Sequence, residues 1–432
     1  MLTRRVAVIG GGWAGLSAAI EATLAGAKVT LFEMAPQLGG RARSVEIDGI
    51  VLDNGQHILI GAYIETLRMM RTVGVDVESA LLRLPLTLVD PAGRGLRLPS
   101  GPPMLAFVRG VIGLRAWPIR DRIALLCAAT SWAMRGFECD EAVTVAQLTR
   151  RLPANVRGEL IDPLCVAALN TPAHSASGRV FLRVIRDALF SGKGSADLML
   201  PRLGLNQLLP GPAQSWLAAS GASVRTGCRI SSIERVESAA SAWRVDHEVF
   251  DGVVLACSAS EAARLVQPID DAWAAVAARL GYEPIVTVFA RSAGARLPAP
   301  IVALPSNDDT QPAQFVFDHG QLGGMPGLLA FVVSGAARWV SNGADAVRDA
   351  TLAQGNAQLA SHLRAPLEHV RTLTEKRATF RCTPALARPP STIAPGLMAA
   401  GDYVSGPYPA TIEGAVRCAV AAARIVAQQQ DR

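Results

Sequence analysis

The sequence predicts an α/β fold: a parallel, doubly wound domain assembled from separate parts of the chain, with an interleaved α+β domain carrying an antiparallel sheet and helices. Three observations lead there. The chain opens on a strand, a glycine-rich turn, a helix and a second strand. It closes on a short apolar strand that runs through Gly401-Asp402 into an amphipathic helix. Its 432 residues also exceed what one hydrophobic core usually supports, so two joined lobes are expected.

Val6-Ala7-Val8-Ile9 reads as a strand buried on both faces, and Gly10, Gly12 and Gly15, spaced around Trp13 and Ala14, open a helix with G-x-G-x-x-G spacing. Gly10 permits the tight turn, Gly12 lets backbone approach a pyrophosphate, and Gly15 lets helix and strand pack closely. The helix N-terminus offers N–H groups and a partial positive charge to phosphates. Leu16, Ala19, Ile20, Thr23 and Leu24 keep helical spacing, Gly26 suits the position past the helix end, and 28–33 reads as strand two. Glu33 ends that strand, where a carboxylate accepts the hydroxyls of an adenosine ribose and disfavours a 2′-phosphate. Together these make a Rossmann-type dinucleotide unit.

A second signature follows in Gly39-Gly40-Arg41-Ala42-Arg43 and then Asp53-Asn54-Gly55-Gln56-His57. Paired glycines let the chain cross close to a cofactor, and arginine offers a rigid fork to phosphate. Here the sequence resembles the flavoprotein family of amine oxidases and carotenoid desaturases, in which such a G-G-R segment trails the dinucleotide fold and marks FAD rather than NAD. The run D-N-G-Q-H-I-L-I-G-A-Y at 53–63 resembles the squalene-associated branch, the hydroxysqualene dehydroxylases. The resemblance implies a Rossmann-type FAD-binding domain touched by Gly40, Arg41, Gly55 and Gln56.

From 63 to 73 the spacing predicts a helix ended at Gly74, followed by strands at 86–89 and 96–98 around the Pro91-Ala92-Gly93 turn. The segment 102–136 is the most lipid-like of the chain, with apolar residues interleaved with Arg109 and Arg115 and a break at Trp117-Pro118. Such helices either lie on a bilayer or cap the substrate lobe. Segments 163–172 and 175–201 also resemble the squalene-associated branch and include a helical stretch over 179–190. Gly192-Lys193-Gly194 lacks phosphate-loop spacing and reads as a loop. A helix ends at Gly221, strands follow at 223–226 and 228–236, and in the resembling flavoproteins the position of Ile230 packs on adenine. Another buried strand spans 250–257.

From 261 to 385 the pattern predicts antiparallel strands near 285–290, 314–317 and 328–333 and a helix over 344–363, a sheet floor for a substrate cavity. His319, His362 and His369 are isolated, read as surface or satisfied core residues, and no metal-ligand spacing is present. In the closing segment Ile412, Ala415, Val416, Ala419, Val420 and Ala423 share a helix face. The resemblance makes this the second FAD signature: Asp402 bonds the ribityl chain, and the helix start at Thr411 and Ile412 points at the flavin ring. A helix dipole there stabilises the negative charge of reduced flavin by a few tenths of a kcal/mol or more, on the order of 0.5. The expected division assigns 1–80, 203–260 and 386–432 to the FAD-binding domain and 81–202 and 261–385 to the substrate-binding domain.

Half of the residues are hydrophobic and 18% charged, a surplus that needs a large apolar cavity or a membrane to cover it. The net charge of +6 favours anionic lipid or phosphate, but no Lys/Arg run marks nucleic-acid binding. Seven scattered cysteines without a C-x-x-C pair fit a reducing compartment, hence the cytoplasm, with peripheral attachment to the inner face of the membrane left open.

The resemblance implies a C30 isoprenoid substrate: reductive dehydroxylation of hydroxysqualene to squalene, with other squalene-pathway enzymes as partners. Losing a hydroxyl needs a proton donor, for which Asp53, His57 and Tyr408 are the candidates, His57 and Tyr408 leading. A polyene desaturase running electrons the other way fits the same cofactor and cavity. An amine oxidase fits less well, because none of the three lysines stands in a flavin context, and a non-catalytic lipid-handling flavoprotein is the reading from another class. No second glycine fingerprint for a nicotinamide appears, so NADPH as reductant would bind transiently.

Overall fold

The structure is a computed structural model that describes residues 3–47, 49–236, 242–307 and 309–428. Its first strand, β1 (Arg5–Ile9), leads through the glycine turn into α1 (Trp13–Leu24) and back to β2 (Lys28–Phe32), parallel to β1. Val6 and Val8 join the core that holds α1, while Ala7 and Ile9 face a second core on the other side. Both faces are covered, which is why the strand reads as an unbroken apolar run. Gly26, with φ of +85°, ends α1.

The chain then leaves this sheet. A hairpin pairs Ser44–Ile47 with Ile50–Asp53, and α2 (Ile64–Thr72) ends at Gly74, with φ of +87°. The strands Thr87–Val89 and Gly95–Arg97 form a second hairpin around the Pro91 turn. Two helices follow, α3 (Pro103–Ile112) and α4 (Ile119–Met134), separated at Trp117-Pro118, and later α5 (Gly178–Phe190). Leu198–Pro201 pairs with Leu59–Ile60 and Leu81–Leu84, a small sheet that joins segments far apart in sequence.

On its return the chain adds β3 (Ser223–Arg225) beside β2 and β4 (Gly252–Leu255) beside β1. The strand expected over 228–236 is corrected: only Ile233–Arg235 is extended, and it belongs to a separate antiparallel sheet. The carbonyls of Ile230 and Ser231 accept hydrogen bonds from the Arg264 guanidinium instead of from a neighbouring strand, so Ile230 stands in a loop.

The antiparallel sheet consists of β5 (Tyr282–Arg291), β6 (Ile301–Ala303), β7 (Phe315–Asp318), β8 (Leu328–Val333) and β9 (Glu368–Phe380), in the order β6-β7-β8-β5-β9. β9 escaped the sequence reading because it is an edge strand whose charged and threonine-rich pattern has no apolar alternation. The helix expected to run to Leu363 is α6 (Ala344–Gln358). It stops where Leu359 turns into the core and His362 bonds the Pro91 carbonyl.

Last, β10 (Thr392–Ala394) and β11 (Leu397–Ala399) complete the first sheet in the order β3-β2-β1-β4-β11-β10, and α7 (Ile412–Gln428) packs across α1. Val416, Ala419, Val420 and Ala423 are its buried face. All seven cysteines are free. Among the described residues, no helix is long and apolar enough to cross a membrane.

Candidate functional site

A cavity of about 870 Å³ is lined by the C-terminal ends of β1 and β2, the first turns of α1 and α7, the floor of the antiparallel sheet, and α3, α4 and α5. At one end the two glycine segments meet. Gly39 N–H donates to Gly11 O at 2.8 Å, and a Cβ on Gly40 would stand 3.1 Å from the Gly12 Cα. A Cβ on Gly12 would meet only Gly40 Cα, at an ordinary contact distance of 3.8 Å, so the position has room for a small side chain. Gly10 holds φ of +109° with Ala256 O against it. Gly15 stands outside the lining: a Cβ there would lie 1.7 Å from Gly10 O, so glycine allows the helix to seat on the turn. No side chain caps α1, which leaves its first N–H groups, at Trp13 and Ala14, directed toward this end.

Glu33 is buried; one carboxylate oxygen accepts from Gly11 N–H at 2.6 Å and the other from Ala35 N–H at 2.7 Å. Each oxygen keeps a lone pair for a further donor. Ile230 lines the same end next to Cys228 and Arg229. Burial, with Glu261 nearby, pushes the Cys257 thiol up to about 12, which keeps it protonated.

The two signatures that the sequence holds far apart are joined by an ion pair. Arg41 donates to Asp402 Oδ1 at 2.5 Å and to Ala378 O at 2.8 Å. Gly55 (φ +90°) and Gln56 line the cavity beside them, and the buried Gln56 Nε2 makes no hydrogen bond, a donor available to a bound acceptor. Thr411 caps α7, its hydroxyl accepting from Gly414 N–H and donating to Tyr408 O. Ile412 stands at the same helix start, and a Cβ on Gly414 would lie 1.9 Å from Tyr408 O.

The three acid candidates are placed differently. Asp53 is not in the lining; its carboxylate accepts from Ser44 Oγ at 2.6 Å and Leu205 N–H at 2.9 Å, tying a hairpin to the returning chain. His57 lines the cavity with Nδ1 3.1 Å from Gly55 O, and a carbonyl can only accept, so Nδ1 carries the proton and Nε2 is left an acceptor. Burial and, less strongly, the Arg41 charge lower its pKa, so the ring stays neutral. Tyr408 lines the cavity with its hydroxyl 3.4 Å from Arg183 Nη2, its ring flanked by the Arg183 and Arg417 guanidinium carbons at 5.2 and 4.9 Å. Arg183 also bonds Asp187 at 2.9 Å, a buried carboxylate of the lining. Sequence reading missed Arg183 and Asp187. Their signal was an opposite-charge pair four residues apart on a helix that also carries Arg179 and Arg186, so spacing alone does not show which arginine faces the cavity.

Beyond this polar chain the walls are apolar, with Phe107, Leu125, Trp132, Leu164, Ile285 and Leu373 among them. Among the described residues no cluster of side chains is suited to a metal ion. The arrangement can hold an elongated nucleotide along the glycine end and an apolar molecule beyond it, with a hydroxyl donor where the two meet.

Comparison with known proteins agrees in scale. The family model for flavin-containing amine oxidoreductases matches residues 13–427. A hydroxysqualene dehydroxylase of Rhodopseudomonas palustris is 28% identical, over 98% of this chain and 99% of its own. One from Sinorhizobium fredii is 27% identical over 96% of each chain. Among solved structures, an oxidoreductase from Methanosarcina mazei has the same fold, with a TM-score of 0.71 at 17% identity, covering 96% of this chain and 99% of that one.

Proposed function

The chain belongs to the flavin-containing amine oxidoreductase family and is an FAD-dependent oxidoreductase, and from that premise we propose that it reduces hydroxysqualene to squalene. The near full-length similarity to two hydroxysqualene dehydroxylases supports the substrate. The single observation that carries the chemistry is the Asp187–Arg183–Tyr408 chain, whose Asp187 and Tyr408 line the same cavity as the apolar side chains of Phe107, Leu125, Trp132 and Leu164.

The cofactor fits the residues present. In this reading Gly12, Trp13 and Ala14 take the pyrophosphate, Glu33 the adenosine ribose and Ile230 the adenine. Gly40, Arg41, Gly55, Gln56, Asp402, Thr411 and Ile412 take the remainder toward the ring. FAD, when bound and reduced, supplies hydride.

The chain's own residues do the rest. Tyr408 O–H gives its proton to the departing hydroxyl, which leaves as water as the allylic C–O bond breaks and the carbon accepts hydride. Arg183 and Arg417 stabilise the phenolate left behind, and Asp187 orients Arg183. The apolar walls keep out the water that would recapture the allylic cation. His57, neutral and accepting through Nε2, positions a donor rather than serving as the acid.

Product analysis by mass spectrometry tests the proposal. Anaerobically reduced protein given hydroxysqualene is expected to yield squalene. Unchanged hydroxysqualene, together with new double bonds when the oxidised protein meets squalene or phytoene, would replace this reading with that of a desaturase.

A further inference from the structure

The helices α3 and α4 are two-sided in an unusual sense: both sides are apolar. Phe107, Leu125, Ala129 and Trp132 face the cavity. On the outside, Met104, Leu105, Ile112, Ile119, Ile123 and Met134 are each 52–79% exposed. The remaining large hydrophobic residues exposed to this degree among those described are scattered over the rest of the chain. Along α3 the outward positions 104, 105, 109 and 112 alternate with the inward 106, 107, 110 and 111; along α4, positions 119, 123 and 134 share one stripe. Arg122 Nη1 donates to Ile112 O at 2.8 Å, pinning the start of α4 to the end of α3 so that the stripes lie on adjoining helices.

Charge follows the same face. Arg109, Arg115, Arg120 and Arg135 are exposed within the segment, and its one acidic residue, Asp121, is buried. An apolar stripe with four exposed arginines, against the exposed carboxylate of Glu159 beside it, which accepts from Trp117 Nε1 at 2.7 Å, complements an anionic bilayer: the apolar residues reach the acyl boundary and the guanidinium groups meet lipid phosphates.

We propose that α3 and α4 dock the protein onto an anionic membrane surface and form the wall between that bilayer and the cavity, so that an apolar substrate passes from lipid to site without crossing water. Docking itself stands on the exposed face alone; the passage of substrate rests on the proposed function. The wall is short in this direction, since one helix layer separates lipid-facing Ile123 from cavity-lining Leu125.

Sedimentation of the FAD-loaded protein with phosphatidylglycerol-containing vesicles, with no substrate present, tests docking separately from turnover. Wild-type protein is expected to sediment with these vesicles and, at physiological salt, much less with pure phosphatidylcholine. Replacing Arg109, Arg115 and Arg120 by Gln should weaken partition about 100-fold, from roughly a factor of five per arginine at the surface. Met104→Ser, Leu105→Ser, Ile119→Ser and Ile123→Ser together should abolish it, with FAD absorbance and activity on detergent-dispersed substrate retained. The apolar variant should also lose activity on vesicle-delivered substrate only. Wild-type protein that stays in the supernatant would overturn the proposal. So would variants that alter solution oligomeric state and leave vesicle binding unchanged, which would make this face a contact between copies of the chain.

Discussion

Tyr408 and His57 line one cavity, yet the direction of their hydrogen bonds separates them. Tyr408 receives a hydrogen bond from Arg183 and so has its own proton to give, whereas His57 spends its proton on Gly55 O. Tyr408→Phe should slow conversion of hydroxysqualene by about 10²-fold or more with the flavin spectrum unchanged, measured in single turnover of reduced protein. Asp187→Asn should give a smaller loss, since it acts through Arg183. At this scale the sequence was partly legible. Tyr408 and His57 stood in motifs, but the roles of Arg183 and Asp187 depend on which way α5 faces, and a motif cannot show that Asp53 is committed to Ser44 and Leu205.

Among elements, glycines that look alike in the motif separate by what surrounds them. Gly12 has ordinary helix-cap dihedrals and a Cβ there would meet only Gly40 Cα, at 3.8 Å, so Gly12→Ala should leave the apoprotein folded with an unchanged melting temperature while weakening FAD binding at least about tenfold by titration. Gly15→Ala meets a backbone oxygen instead, and should destabilise the fold itself by about 1–3 kcal/mol in denaturant unfolding. A third element-scale contact was invisible in sequence. Glu413, in the first turn of α7 and 1% exposed, accepts from the Glu65 and Thr66 N–H groups and the Thr66 hydroxyl at the start of α2, and pairs with Arg417. Glu413→Gln should cost about 1.5–3 kcal/mol by thermal unfolding, because the charged acceptor of several hydrogen bonds is removed. Strands and helices with clean apolar periodicity were legible; β9 and the Ile230 loop were not, because charged edge residues and an arginine from elsewhere decide their conformation.

For the molecule as a whole, acid should be the weak side. Glu21 bridges α1 to Arg68 of α2 and Arg424 of α7, and although burial opposes its charge, those two hydrogen bonds lower its pKa. Its contribution is present above the unfolded value near 4.5 and fades as the pH falls below it. His319, at the start of a short turn against Phe289, is lowered by burial to about 4 and its Nε2 makes no hydrogen bond. The unfolded chain takes up that proton near 6.5, so stability declines as the pH drops from there to 4, by on the order of 2 kcal/mol. Melting temperatures between pH 7.5 and 4 should fall, and His319→Gln should flatten the upper part of that fall. The same scale explains why sequence placed the two cofactor signatures without revealing their junction: the Arg41–Asp402 pair forms only once β11 has returned to the sheet that β1 began.

The most direct test of the account is an anaerobic titration that follows the flavin absorbance of the reduced protein as hydroxysqualene is added. One flavin is expected to be reoxidised for each squalene formed. Reduced flavin left untouched by hydroxysqualene, with oxidised flavin bleached by squalene or phytoene, would contradict it.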